Sequence, residues 1–101
     1  AGGSAFDCSG LTSWTYLRHG FALPRTAQQQ YSFIAARGHI NHNLNTLRPG
    51  DLVFFSPSGS PNNIVHVGIA LGNGKMIHAA RPGVGVVIGN IYAGFIGGGR
   101  P

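Results

Sequence analysis

Apolar and polar positions change their rhythm about midway along this chain. In the first part, Leu11, Trp14 or Thr15, and Arg18 recur at three- to four-residue spacing behind Asp7, a good N-cap, and ahead of Gly20, which predicts a helix over Cys8 to His19. Pro24 at an N-terminal position and Gly38 beyond the end bracket a second helix over Thr26 to Arg37. His39 to Arg48 is a polar, Asn-rich loop. From Pro49 onward the apolar residues come in short runs. Leu52 to Phe55 is a strand after a Pro-Gly-Asp turn, and Ser56 to Asn63 is a loop rich in Pro, Ser and Asn. Val65 to Leu71 and Lys75 to Ala80 flank Gly72-Asn73-Gly74 as a hairpin, and Val84 to Ile91 and Tyr92 to Ile96 are two further strands with glycines at bulges or close approaches. Helices first and hairpin-linked strands after make an α+β domain, with the helices against a mostly antiparallel sheet of about five strands.

Parity along the hairpin decides what its two histidines can do. A two-residue Asn73-Gly74 turn alone would pair Gly72 with Lys75 and place His66 and His78 on opposite faces. A three-residue loop pairs Leu71 with Lys75 instead and makes them diagonal neighbours, about 7–8 Å apart at the backbone. The second register is expected, because it separates a small, polar face (His66, Gly68, Ala70, Met76, His78, Ala80) from an ordinary core face (Val65, Val67, Ile69, Leu71, Ile77). The first of these faces is expected to receive the Cys8 helix.

Size and charge narrow the reading. With 101 residues the chain is one domain, 1–101, whose Gly2-Gly3 entry looks cut from a longer chain; the N-terminus lacks the basic-then-apolar pattern of a signal peptide, so any export signal is expected upstream. Nothing approaches the roughly 20 apolar residues of a membrane span. Charged residues are 9% of the chain, with a net charge of +5 and no glutamate. That charge suits an anionic partner, a polyanionic wall or a carboxylate-rich substrate. The basic residues are scattered in sequence, though, and nucleic acid is not expected.

The single cysteine, Cys8, is either inert packing or a reactive thiol. A helix N-terminus lowers a thiol's pKa, and a nucleophile there needs a base and a group to orient that base. His66 and His78 can supply the last two. Asp7 would raise the thiol pKa and is better placed as the helix cap; Ser9 suits either substrate contact or the first helical turn. Arg25 can take a carboxylate or simply start a helix, and Asp51 reads as a turn residue. His39 and His42 have metal-like spacing in a loop better explained by solvation. Residues Gly83 to Gly89 do not have dinucleotide-loop spacing.

Five segments together resemble one family: Phe6-Asp7-Cys8-Ser9-Gly10-Leu11, Leu23-Pro24-Arg25-Thr26 with Gln28 to Gln30, Leu47 to Phe55, His66-Val67-Gly68-Ile69, and Met76-Ile77-His78-Ala79. In order and content they are similar to the NlpC family of bacterial cell-wall cysteine endopeptidases. The resemblance implies a papain-like fold and an amide hydrolase acting on peptidoglycan stem peptides, at the bond between D-γ-glutamyl and diaminopimelate or lysine. By position Cys8 matches the nucleophile, His66 the general base and His78 the polar third residue; Asp7, Ser9 and Arg25 are the substrate-binding candidates. No metal or cofactor is implied, and a monomer in the wall, periplasm or medium is expected. Family members carry a Tyr ahead of a Gly-Gly pair, a position preceding Ala1, and Ala27 stands where relatives often have Ser. An N-acetylmuramoyl-L-alanine amidase of the same chemistry, or a wall-binding module without turnover, are the alternatives.

Overall fold

The computed structural model describes residues 7–80 and 85–101. The Gly2-Gly3 entry and the start of the strand expected from Val84 lie outside them. Two helices, α1 (Cys8–Arg18) and α2 (Ala27–Ala36), and a single 3-10 turn (Leu44–Thr46) precede five strands: β1 (Leu52–Phe55), β2 (His66–Gly72), β3 (Lys75–Ala79), β4 (Val86–Asn90) and β5 (Phe95–Gly99). Every pairing is antiparallel, in the order β4-β3-β2-β1-β5. The expected α+β architecture of helices on an antiparallel sheet is thus what the chain adopts.

Local chemistry explains the helix ends. Asp7 caps α1 by accepting from Gly10 N at 2.6 Å, and Gly20 makes the left-handed exit at φ +84°. Thr26 caps α2 in a full capping box with Gln29: Thr26 Oγ1 accepts from Gln29 N at 3.1 Å, and Thr26 N donates to Gln29 Oε1 at 3.2 Å. The helices are then locked together by Gln30, which is fully buried. Its Oε1 accepts from Thr12 Oγ1 at 2.7 Å, and its Nε2 donates to Pro24 O at 2.9 Å and Ser13 Oγ at 3.0 Å. A buried amide satisfied this way fixes the pose of α1, and so the place of Cys8.

Both helices lie on one face of the sheet, where Ala27, Tyr31 and Ile34 of α2 meet Leu52, Phe54, Val67 and Ile69, and Cys8 and Tyr16 pack at the margin. On the other face Val53, Phe55, Ala70 and Met76 are covered by Leu47, Ile91 and Phe95. β1 is therefore buried on both sides, which is why it reads as an unbroken apolar run instead of an alternating one. This corrects one expectation: α1 packs on the Val67/Ile69 face, because large aliphatic side chains bury more area under a helix than glycine and alanine do.

The hairpin corrects another. Its loop is the two-residue Asn73-Gly74 turn, with φ +56° and +73°, the conformation favoured by right-twisted strands. Gly72 pairs with Lys75, yet Ile69 pairs with Ile77 and Ala70 with Met76, because the register shifts by one residue between Ala70 and Gly72. Leu71 is the extra residue, 42% exposed. The bulge restores the register that a three-residue loop would have given, so His66 and His78 still share a face. Finally, β5 begins and ends later than the strand expected at Tyr92 to Ile96, and takes in Gly97 to Gly99. Its outer edge is closed by the 39–42 loop, with Asn41 N donating to Gly98 O at 2.7 Å and Gly98 N to Asn41 O at 2.9 Å.

Candidate active site

Cys8 opens α1 and is half-buried. At that position its own N–H is one of the donors a helix leaves unsatisfied, and the helix dipole favours negative charge beside it. Asp7 would oppose a thiolate, but its charge is already met. Arg25 Nη2 lies 3.0 Å from Asp7 Oδ2, while Arg25 Nη1 donates to Ser9 Oγ at 2.8 Å. The Arg25 hydrogen bond holds the Asp7 carboxyl below its usual range, ahead of the opposing effect of burial. The ion pair is exposed, at 55% and 60% of the two side chains, so it orients these groups more than it stabilises the fold. The three substrate-binding candidates thus form one connected cluster around the helix start.

His66 and His78 are joined directly, His66 Nε2 to His78 Nδ1 at 2.8 Å, with ring centroids 5.0 Å apart. The only ring nitrogen of His66 without a hydrogen-bond partner is Nδ1. No buried side-chain nitrogen or oxygen is unpaired among the described residues, so Nδ1 faces solvent. When Nε2–H donates to His78, Nδ1 carries the lone pair and can take a proton. Cys8 Sγ makes no hydrogen bond to His66. Tyr92 lies near the histidines, and its hydroxyl pKa is raised chiefly by burial and further by the charge of Cys8. Tyr92 stacks on Phe55 at 4.4 Å and lies 6.5 Å from the His66 ring and 6.3 Å from that of His78. The sequence gives no sign of Tyr92: it sits beyond β4 in a loop, and only the fold returns it to the histidines.

Burial, then the neighbouring His78, push His66 down to about 4 from 6.5; burial lowers His78 as well. Folded His66 is therefore neutral at neutral pH. Between pH 6.5 and about 4 the unfolded chain binds a proton that the folded one refuses, so stability falls as pH falls through this window. Allowing for solvent at the open side of the ring, a loss of about 1 kcal/mol is expected, which is about 4–8 °C in melting midpoint. Melts at pH 6.5 and 4.5 should show it, and His66→Gln should remove most of the difference; an equal drop in the variant would assign it elsewhere.

The metal-like pair is pulled apart by its surroundings. His39 Nδ1 contacts Arg100 O at 3.2 Å and His42 Nδ1 contacts Ile96 O at 2.8 Å, and among the described residues no group of three or more His, Cys, Asp or Glu converges on a point. Asp51 is a turn anchor: Oδ2 accepts from Arg48 N at 2.8 Å and Oδ1 from Arg100 Nε at 2.6 Å. No helix among the described residues is long and apolar enough to cross a membrane.

Known proteins resemble this chain in sequence and fold. The bifunctional muramidase/DL-endopeptidase CwlT of Bacillus subtilis is 42% identical over 81 residues, 80% of this chain, and the chain spans 23% of that relative's length. Among solved structures, the NlpC/p60 domain of the peptidoglycan hydrolase SagA superposes with a TM-score of 0.79 at 31% identity, covering 99% of this chain and 83% of that one. RipD from Mycobacterium tuberculosis, described as a non-catalytic NlpC/p60 domain protein adapted to peptidoglycan binding, superposes with a TM-score of 0.74 at 29% identity, over 94% of this chain and 66% of that one. The pattern of the NlpC/P60 family matches residues 1–97, and the chain belongs to that family.

Proposed function

We propose that this domain is a cysteine endopeptidase that hydrolyses peptidoglycan stem peptides at the bond between D-γ-glutamyl and diaminopimelate or lysine. The observation that carries the reading is the His66–His78 hydrogen bond, 2.8 Å long, which leaves His66 Nδ1 open on the sheet end where α1 presents Cys8. His66 takes the thiol proton at Nδ1 and Cys8 Sγ attacks the amide carbon. The Cys8 N–H helps hold the oxyanion, His66 gives the proton to the leaving amine, and water activated by His66 then cleaves the thioester. His78 keeps the His66 ring in the tautomer that this sequence needs. A Cys8–His66 hydrogen bond is expected to form as substrate binds, as catalytic contacts often tighten in the complex. Asp7, Ser9 and Arg25 border the acyl side and contact the stem peptide. The activity places the protein outside the cytoplasmic membrane, at the wall.

The test is product identity. Purified peptidoglycan is incubated with the chain and with Cys8→Ala, and the released fragments are read by mass spectrometry. Fragments that require Cys8 and carry a new amine on diaminopimelate or lysine are expected. A new amine on L-alanine would replace the endopeptidase with an amidase, and retained wall binding without release would make this a binding module.

A further inference from the structure

The basic residues are scattered in the sequence, but the fold gathers them. β1 runs from Leu52, paired with Ile69 and Gly99, to Phe55, paired with His66, so the sheet has a catalytic end and an opposite end. α1 leaves Cys8 at the first and finishes at the second, where Tyr16 Oη donates to Gly50 O at 2.6 Å and His19 borders a cleft with Arg100. α2 finishes there too, since His39, just beyond its cap, touches Arg100 O. The β2–β3 turn closes the same end, a Cβ on Gly72 lying 3.7 Å from Pro49 Cγ. Among the described residues, Arg18, Arg37, Arg48, Lys75 and Arg100 therefore share one pole with a single side-chain carboxylate, Asp51. Five positive side chains less one negative leave a side-chain net of four positive. Arg25 sits at the catalytic end, and Arg81 lies outside the described residues.

Local structure accounts for most of these groups. Arg18 stacks on Trp14 at 4.9 Å and Arg37 on Phe33 at 4.5 Å, both beside helix C-termini that favour cations, and Lys75 Nζ donates to Asn90 Oδ1. Arg48 is different. Only its backbone is engaged, its N–H donating to Asp51 Oδ2 and its carbonyl accepting from Asp51 N, and its guanidinium has no acceptor among the described residues. It borders a cavity of about 450 Å³ together with Arg100, His39, Asn41 and Thr46. Asp51 in the cavity wall has both oxygens committed, to Arg100 Nε and to Arg48 N, so it does not compete with an entering anion for the Arg48 guanidinium.

The geometry points to an anion-binding exosite at this pole that takes the phosphodiester groups of an extended, flexible polyanion. A guanidinium fork fits a phosphate bidentately, and the surrounding cations hold neighbouring repeats by counterion release. Nucleic acid fits less well. A duplex needs an element that enters its groove and a single strand needs stacking platforms, whereas no Phe, Tyr or Trp lines the cavity. A polyol phosphate needs neither. On the endopeptidase reading, a polymer held at this pole keeps the opposite, catalytic end beside the wall at high local concentration.

Binding of labelled poly(glycerol phosphate) by fluorescence anisotropy across a salt series tests the exosite without any turnover. Affinity is expected to fall steeply with salt, and Arg48→Gln, on an exposed side chain, should weaken binding about tenfold and lower the salt slope by about one unit. Cys8→Ala should bind like the wild type. Hydrolysis of a soluble stem peptide should be unchanged in Arg48→Gln. Equal binding by Arg48→Gln, tighter binding of a DNA duplex with the same number of phosphates, or equal competition by inorganic phosphate at matched phosphate concentration would each overturn the proposal. A wild type that binds the polymer but leaves the stem peptide intact would overturn the endopeptidase reading alone.

Discussion

His66→Gln is expected to lower kcat/KM on a soluble stem peptide by about 10²–10⁴-fold, the range a positioned proton-transfer group supplies. On the proposed mechanism the loss should fall on kcat, because the His66 ring would handle protons while Asp7, Ser9 and Arg25 would contact the stem peptide. Cys8→Ala should bring the rate to background, and the double variant should be no slower than Cys8→Ala alone, since groups acting in one sequence do not lose rate additively. A His66→Gln protein that keeps a tenth of its activity would refute the assignment.

His78 has a smaller, separable share. It accepts from or donates to His66 Nε2 at 2.8 Å and carries no formal charge when burial keeps it neutral, so on the proposed mechanism it would orient the base without balancing a developing imidazolium as a carboxylate would. His78→Ala should cost less than His66→Gln, and His78→Gln, whose amide oxygen can accept from Nε2–H, should recover part of that loss. A purely structural role would instead show as a lowered melting midpoint with no recovery in kcat. Because His66 in the fold resists protonation down to about 4, the rate should not fall in the acid limb until well below the ordinary histidine range.

Much of this site was legible in the sequence because it rests on local rules. Asp7 announced α1 through capping, Pro24 and Gly38 bracketed α2, and Leu52 to Phe55 was bounded by turn residues on both sides. The pairing of His66 with His78 followed from the faces a hairpin must present, even though the bulge at Leu71, and not a longer loop, delivers that register. Parity constrains the faces, and several turn-and-bulge combinations give the same parity. What was not legible depended on contacts remote in sequence. Tyr92 reaches the histidines only because β4 and β5 sit at opposite edges of the sheet, and the choice of face for α1 depended on which side buried more aliphatic surface. The basic pole was invisible for the same reason: its members are separated along the chain and meet where two helix ends, a turn and the last strand converge.

Gly97 to Gly99 was the plainest loss, since glycine carries no side-chain pattern and a run of three resembles a linker. The fold gives the run a steric meaning that makes the largest stability effect predictable. A Cβ on Gly99 would overlap the His39 carbonyl oxygen, and one on Gly98 would stand 2.5 Å from Leu52 O, while Gly97 would meet Ile40 Cγ2 at 2.8 Å. The first two obstacles are backbone atoms on either side of β5, one in the 39–42 loop and one in β1, and neither can turn away as a rotamer can. Gly99→Ala must therefore push the loop off the sheet edge or pull β5 from β1, breaking ladder hydrogen bonds beside a core of Leu52, Ile34 and Leu47. A destabilisation of about 3 kcal/mol, at the upper end of overpacking costs, is expected, which corresponds to a fall of about 12–24 °C in melting midpoint. Gly89→Ala is the matched control: its Cβ would meet only His78 Nε2, at 3.6 Å, in an extended strand, so its midpoint should move by no more than a few degrees. Comparable melting for the two variants would mean that β5 is not held between β1 and the 39–42 loop. A selective collapse of Gly99→Ala would show that the three glycines are required for close approach of the backbone, and that the edge strand supporting Phe55 beneath His66 depends on them.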